Sequence, residues 1–541
     1  MLPLMVRPVP LFPQETIGSA RLNQMYLQGL RLIGAQKYDE AIEQFKEIID
    51  QAPSFSRAYA KLVALYEEKN ELDNARQYFE ELIAKNPHNP YAYYGVGQVW
   101  KEKKNLHLAI ENYRKSIHLF PECAVVFREL VDAYKGLKNL NEAVEFINGI
   151  IKTNPNNAAA RYGLGYVYEL QNQWGKGLES LNKAIELNPN LLIAYYSKGK
   201  IQRYTGRFQD CFRINRVGLD LAERNHDLEY KRLFLGNIGI VYRNLGKSRK
   251  ALEYLEQALK IDREIGDRRG EAIRLGNIGN IYRDLGDHPK ALTYFKRALG
   301  ISEEIEDIED QGIHLSNIGI VYRKLDNLHK ALEYYKRALK IARQVGNKRS
   351  EGIRLGNIGI VYKRLGDFPR ALVYYEQALK IAREIEDRSG EKRHLGNIGV
   401  IYRNLGDYAK ALEYHKQALE IARELGAKRS QARHLGNIGI VYYELGNYPK
   451  ALKYFEQSLM IARETEDKEG AGICLGNIGL VLTDSGDFAK AFEFYEQALK
   501  IDREIGNRKS QGFVLNGLGN VSFKLGDYSR SVEYYLSLIH I

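Results

Sequence analysis

Seven asparagines stand 40 residues apart, at Asn237, Asn277, Asn317, Asn357, Asn397, Asn437 and Asn477. A carboxamide offers one acceptor and two donors. One such group per structural unit could pair with both backbone groups of an extended peptide, whatever its side chains. Six positions after the first five of them comes a cation, at Arg243, Arg283, Arg323, Lys363 and Arg403; Tyr443, Thr483 and Phe523 then end the row. A row of cations favours carboxylates or phosphates, and arginine can hold either through two parallel hydrogen bonds. The chemistry that this spacing offers is recognition of an acidic, extended chain.

Each row also has a purely structural reading. The asparagines could bond to the adjacent unit and stiffen the stack, since buried polar groups are normally paired; both roles stay open at this point. The cations could form a solvated face with local ion pairs, such as Arg283 beside Asp284, which contribute little. Their run over five consecutive units favours binding. His314, His394 and His434 recur on the same period, but Arg354 interrupts them and no carboxylate or cysteine shares their row. Structural packing is expected of them, and no metal site. No phosphate-binding Gly-x-x-x-x-Gly-Lys-Ser/Thr, His-Glu-x-x-His or Gly-x-Ser-x-Gly is present. The chain is therefore expected to be no enzyme and to use no cofactor.

The elements that must position these rows are repeats. The stretch Leu235-Gly236-Asn237-Ile238-Gly239-Ile240-Val241-Tyr242-Arg243 returns every 40 residues and, degraded, from Leu515, where Gly517 replaces the asparagine. A fixed period of this size marks stacked supersecondary units. Glycine at Gly246, Gly286 and Gly366 predicts the end of a first helix, and Asp287, Asp367 and Asp407 predict the N-cap of a second. One unit has Asp326-Asn327 instead, residues that tolerate the same left-handed turn.

An earlier array has a period of 34. Pro53, Pro87, Pro121, Pro155 and Pro189 mark it, each stopping a second helix. Loss of that proline predicts a second helix about a turn and a half longer in the later units. The expected organisation is a tail over residues 1–20, a 34-residue-type array over 21–224 and a 40-residue-type array over 225–541. The last repeat is expected to be cut short.

Composition fits a folded chain: of 541 residues, 44% are hydrophobic and 27% charged, and the formal net charge is +12. That charge favours acidic partners. No run of about 18 apolar residues exists, so no membrane insertion is expected. Cys123, Cys211 and Cys474 are odd in number and far apart, which suits a reducing compartment, the cytoplasm.

These units resemble the tetratricopeptide repeat. Gly97, Trp100 and Ala109 with Pro121, and Gly165, Tyr168 and Gly177 with Pro189, follow the small-aromatic-small-proline pattern of its 34-residue class. The 40-residue units are similar to the longer class found in Pins-type adaptors, kinesin light chains and bacterial signalling proteins. The resemblance implies an all-α fold, a right-handed superhelical solenoid of about fourteen helix-turn-helix repeats. It also implies a protein-binding scaffold whose first helices line a groove, with Asn237 and its six equivalents, and by extension the cation row, gripping acidic peptide. A non-catalytic adaptor is the expected function. The alternatives are a sensor region of a larger signalling protein and an RNA-binding repeat. Nucleic acid is the less favoured partner, because few stacking aromatics lie on the ladder's face.

Overall fold

The computed structural model describes residues 20–540, so the tail expected over residues 1–20 falls almost wholly outside the described residues. Among the described residues there are 28 helices, α1 (Ala20–Gly34) to α28 (Tyr528–Ile539), and no strand. They alternate as first and second helices of fourteen pairs. The chain divides into two compact units, residues 1–307 and 308–541.

In the 34-residue units the first helix has 13 residues and the second 14, as in α5 (Pro90–Glu102) and α6 (Leu106–Leu119). Each second helix ends two residues before its proline, as α6 does before Pro121. In the 40-residue units both helices have 17 residues, as in α19 (Lys348–Arg364) and α20 (Phe368–Glu384). The extra length is therefore shared between the two helices. The expectation placed all of it on the second. Without proline, a tight left-handed turn replaces the extended linker, and the next first helix starts earlier. Gly346 and Gly426 make that turn with φ of +70° and +61°.

The turn within each pair follows the sequence. Asp367 accepts from the backbone N–H of Arg370 at 3.1 Å, capping α20. In the variant unit Asp326 takes φ +58°, and Asn327 caps α18 (Leu328–Gln344) through the N–H of Lys330 at 3.1 Å.

The cores are built from the repeat's apolar rows. In the second unit Leu355, Ile358, Val361 and Tyr375 are buried within one helix pair. Gly359 lets the pair close: a Cβ there would lie 2.8 Å from the Tyr375 ring. Outside this core, Tyr362 stacks on Tyr374 at 5.4 Å, and the Arg370 guanidinium lies 4.9 Å from the Tyr362 ring. Aromatic stacking and cation–π contact each add about 1 kcal/mol to such a seam.

Candidate functional site: the first-helix faces

In the second unit, Asn317, Ile320 and Arg323 lie three residues apart on α17 (Ile308–Lys324), so they form one stripe along its surface. The same stripe recurs as Asn357, Ile360 and Lys363 on α19, and as Asn397, Val400 and Arg403 on α21 (Arg388–Asn404). Asn437 with Ile440, and Asn477 with Leu480, continue it without the cation. All of these side chains are half-buried. None of the five asparagines makes a side-chain hydrogen bond within the protein among the described residues.

The cations behave differently along their row. In the first unit, Arg243 bonds Asp284 at 2.7 Å, and Arg283 bonds the same carboxylate at 3.0 Å. The pairing follows a rule of position: the residue 41 places after each cation faces it. Where that residue is acidic, the charge is neutralised. Arg403 meets Glu444 at 3.9 Å, and Tyr443 donates to Asp484 at 2.5 Å. Lys324 and Arg364 stand at the positions facing Arg283 and Arg323, and Asn404 faces Lys363. Arg323 and Lys363 have no carboxylate partner among the described residues, and the Arg323 Nε is buried without a hydrogen bond. Burial holds the Lys363 ammonium below its ordinary pKa, and the like charges of Arg403 and Arg323 push it the same way. These three cations thus share one patch with little to neutralise them.

Asn237 departs from its row. It is buried, and its Nδ2 donates to the Oδ1 of Asn215 on α12 (Phe208–Arg224) at 3.1 Å. At this one position the amide joins neighbouring helices. Asn277, in the same unit, is half-buried and makes no such bond.

The histidines pack. His394 and His434 lie over Gly356 and Gly396 of the preceding first helix; the His434 Cε1 would be 2.6 Å from a Cβ at Gly396. His415 occupies the place that Tyr375 and Phe455 take in neighbouring pairs, against Gly399, and its ring centroid is 5.9 Å from that of His434. Burial, with Arg393, Arg403 and Arg433 near by, depresses these imidazoles to about 4 for His394 and His415 and about 3 for His434. They are neutral core groups at pH 7. Among the described residues no three histidine, cysteine or carboxylate side chains are grouped to hold a metal.

Sequence reasoning missed the first-helix face of the first unit. Lys101 and Arg128 both donate to Glu129, at 2.6 and 2.7 Å; Tyr166 donates to Asp132 at 2.8 Å; Lys200 pairs with Glu169 at 2.7 Å. Burial would raise the Glu129 carboxyl, but Arg128 and Lys101 outweigh it and hold it at about 2. The signal was present as two further rows at 34-residue spacing: Tyr94, Arg128, Tyr162 and Tyr196, and Gln98, Asp132, Tyr166 and Lys200. Both carry aromatic and polar residues where the core rows are aliphatic. No helix among the described residues is long and apolar enough to cross a membrane.

Known proteins match this architecture. One tetratricopeptide-repeat model matches residues 231–304, 310–384, 393–464 and 473–539; others match 32–99, and 128–191 with 357–425. No curated protein matches the chain. Similar solved structures include BtubC (BKLC) from P. vanneervenii, with 22% identity and a TM-score of 0.37 over 41% of this chain and 91% of that one. The apo form of RapI shows 21% identity and a TM-score of 0.42 over 50% of this chain and 97% of that one. With matched segments spanning more than half of its residues, the chain belongs to the tetratricopeptide-repeat family.

Proposed function

We propose that the chain is a non-catalytic protein-interaction adaptor whose second unit holds an acidic, largely extended segment of a partner protein. The observation that carries this reading is the patch of Arg323, Lys363 and Arg403. Half-buried like charges repel one another, and a patch without sufficient counter-charge is stabilised by an anionic occupant. Beside it, the amides of Asn317, Asn357 and Asn397 are free to pair with a ligand backbone. The half-buried Ile320, Ile360 and Val400 between the two rows would take apolar side chains of the same segment. First helices packed about 10 Å apart would pass one asparagine for roughly every three residues of an extended chain.

Fluorescence anisotropy with labelled peptides tests the proposal. Extended peptides rich in Asp and Glu should bind, and scrambled basic or neutral ones should not. Arg323→Glu combined with Lys363→Glu should remove binding while the circular dichroism spectrum stays unchanged. Preferential binding of single-stranded RNA over every acidic peptide would overturn it.

A further inference from the structure

In a solenoid each unit touches only its neighbours. The first unit breaks this rule. Arg57, on α3 (Ser56–Glu68), holds Asp227 through both guanidinium nitrogens, one of them at 3.2 Å, and reaches Glu229 at 3.5 Å. The Tyr26 hydroxyl on α1 donates to Glu229 at 3.1 Å, across 203 residues of sequence. The Arg57 guanidinium also lies 5.7 Å from the ring of Tyr230. The three residues so held begin α13 (Leu228–Asn244), and Asp227 also caps that helix by accepting from the Tyr230 N–H at 3.0 Å.

The receiving residues share one surface. Tyr26 belongs, at 34-residue spacing, to the row of Tyr94, Arg128, Tyr162 and Tyr196, which is the first-helix face described above. Tyr230 lies close enough to Arg128 and Tyr162 to influence their ionisation. The start of α13 is therefore laid on the first-helix face of α1, α3, α7 (Ala124–Gly136) and α9 (Ala158–Leu170). Near by, the turn after α14 (Ser248–Glu264) meets the end of α1, where Gly266 comes within van der Waals contact of Gly34 and Leu30.

We infer that the first-helix face of the first unit is a second binding site, for an acidic segment carrying a tyrosine, and that residues 227–230 of the same chain occupy it as an internal ligand. Arg57 takes the carboxylates through a bidentate contact, and Tyr26 donates to a second acid. The ligand tyrosine rests among Arg57, Arg128 and Tyr162. A partner segment of the same chemistry competes with residues 227–230, so its apparent affinity is reduced by the fraction of molecules in which the site is already filled. This site shares no residue with the Arg323 patch, so the two proposals stand or fall separately.

The test uses the full chain and a fluorescein-labelled peptide of residues 223–234. Glu229→Lys with Tyr230→Ala leaves the Asp227 cap in place and removes the internal occupant; this variant should bind the peptide at least about tenfold tighter than wild type. Adding Arg57→Glu should abolish the gain, and Arg323→Glu with Lys363→Glu should leave it unchanged. A variant with no gain over wild type overturns the proposal. Hydrogen exchange on the unaltered protein gives a second measurement that needs no mutant to fold. Excess peptide should raise amide exchange at residues 227–231, and unchanged exchange under saturating peptide also overturns the proposal.

Discussion

Asn237 donates its side-chain amide to Asn215 at 3.1 Å, and the other asparagines of its row make no such bond. One residue type at one repeat position therefore does two kinds of work. Asn237→Ala should lower stability by about 1 kcal/mol, the usual contribution of a buried hydrogen bond, and leave peptide binding in the second unit unchanged. Asn317→Ala with Asn357→Ala should do the reverse, weakening an acidic peptide about tenfold, or about 1.4 kcal/mol, with little change in unfolding. Thermal melts beside binding isotherms separate the two; equal destabilisation by both variants would contradict the division.

The cation row predicts a graded salt response. Arg283→Ala removes a charge already paired with Asp284 and should cost little affinity. Lys363→Ala removes one flanked by Arg323 and Arg403 and should cost more, with a flatter dependence of Kd on ionic strength. Titrations between low and high salt check the ranking, and the prediction fails if Arg283→Ala is the more damaging change.

Glycines in this chain divide into two classes. A Cβ at Gly359 would meet the rigid Tyr375 ring at 2.8 Å, so Gly359→Ala should destabilise by about 1–3 kcal/mol through overpacking. Gly300 lies within α16 (His288–Glu304) with nothing within 4 Å of such a Cβ. Gly300→Ala should instead stabilise by up to about 1 kcal/mol, because alanine is the better helix former. Urea unfolding midpoints read both signs.

Acid should loosen the region around α22 (Tyr408–Glu424) and α23 (Lys428–Glu444). His394, His415 and His434 have folded pKa values of about 4, 4 and 3, against 6.5 in the unfolded chain. The unfolded chain thus takes up protons first as the pH falls. The contribution of these groups is full above pH 6.5 and is lost between pH 6.5 and about 4, at up to about 1.4 kcal/mol per pH unit for each histidine. His415→Phe, copying Phe295 and Phe455 at equivalent positions, should be tolerated at pH 7 and make the decline shallower. Hydrogen exchange of α22 and α23 from pH 7 to pH 4.5 measures this, and an identical decline in the variant would refute the assignment.

Much of this was legible in the sequence because solenoid structure is written locally. Gly286-Asp287 specified a turn, and Asp326-Asn327 specified the same turn by a different route, since αL tolerance and capping ability belong to single residues. The helix pairs followed from the same punctuation. Pairing between units was harder to read. Whether Arg323 is neutralised depends on the residue 41 places on, which helical periodicity within one unit does not expose. Asn237 looks identical to its six equivalents, and what distinguishes it is Asn215, in a unit of a different type. The contact of Arg57 with Asp227 left no periodic trace, because no repeat unit encodes how the array meets itself.

That contact also governs how the first unit bears load. An open array pulled from its end peels one helix pair at a time, each at low force, since only one interface resists at any moment. With Arg57 and Tyr26 fastened to the start of α13, tension entering at α1 is delivered at once to a point some 170–200 residues further along. The six pairs between are shielded until that fastening ruptures. In an optical trap the first unit should therefore yield in one abrupt extension rather than a staircase.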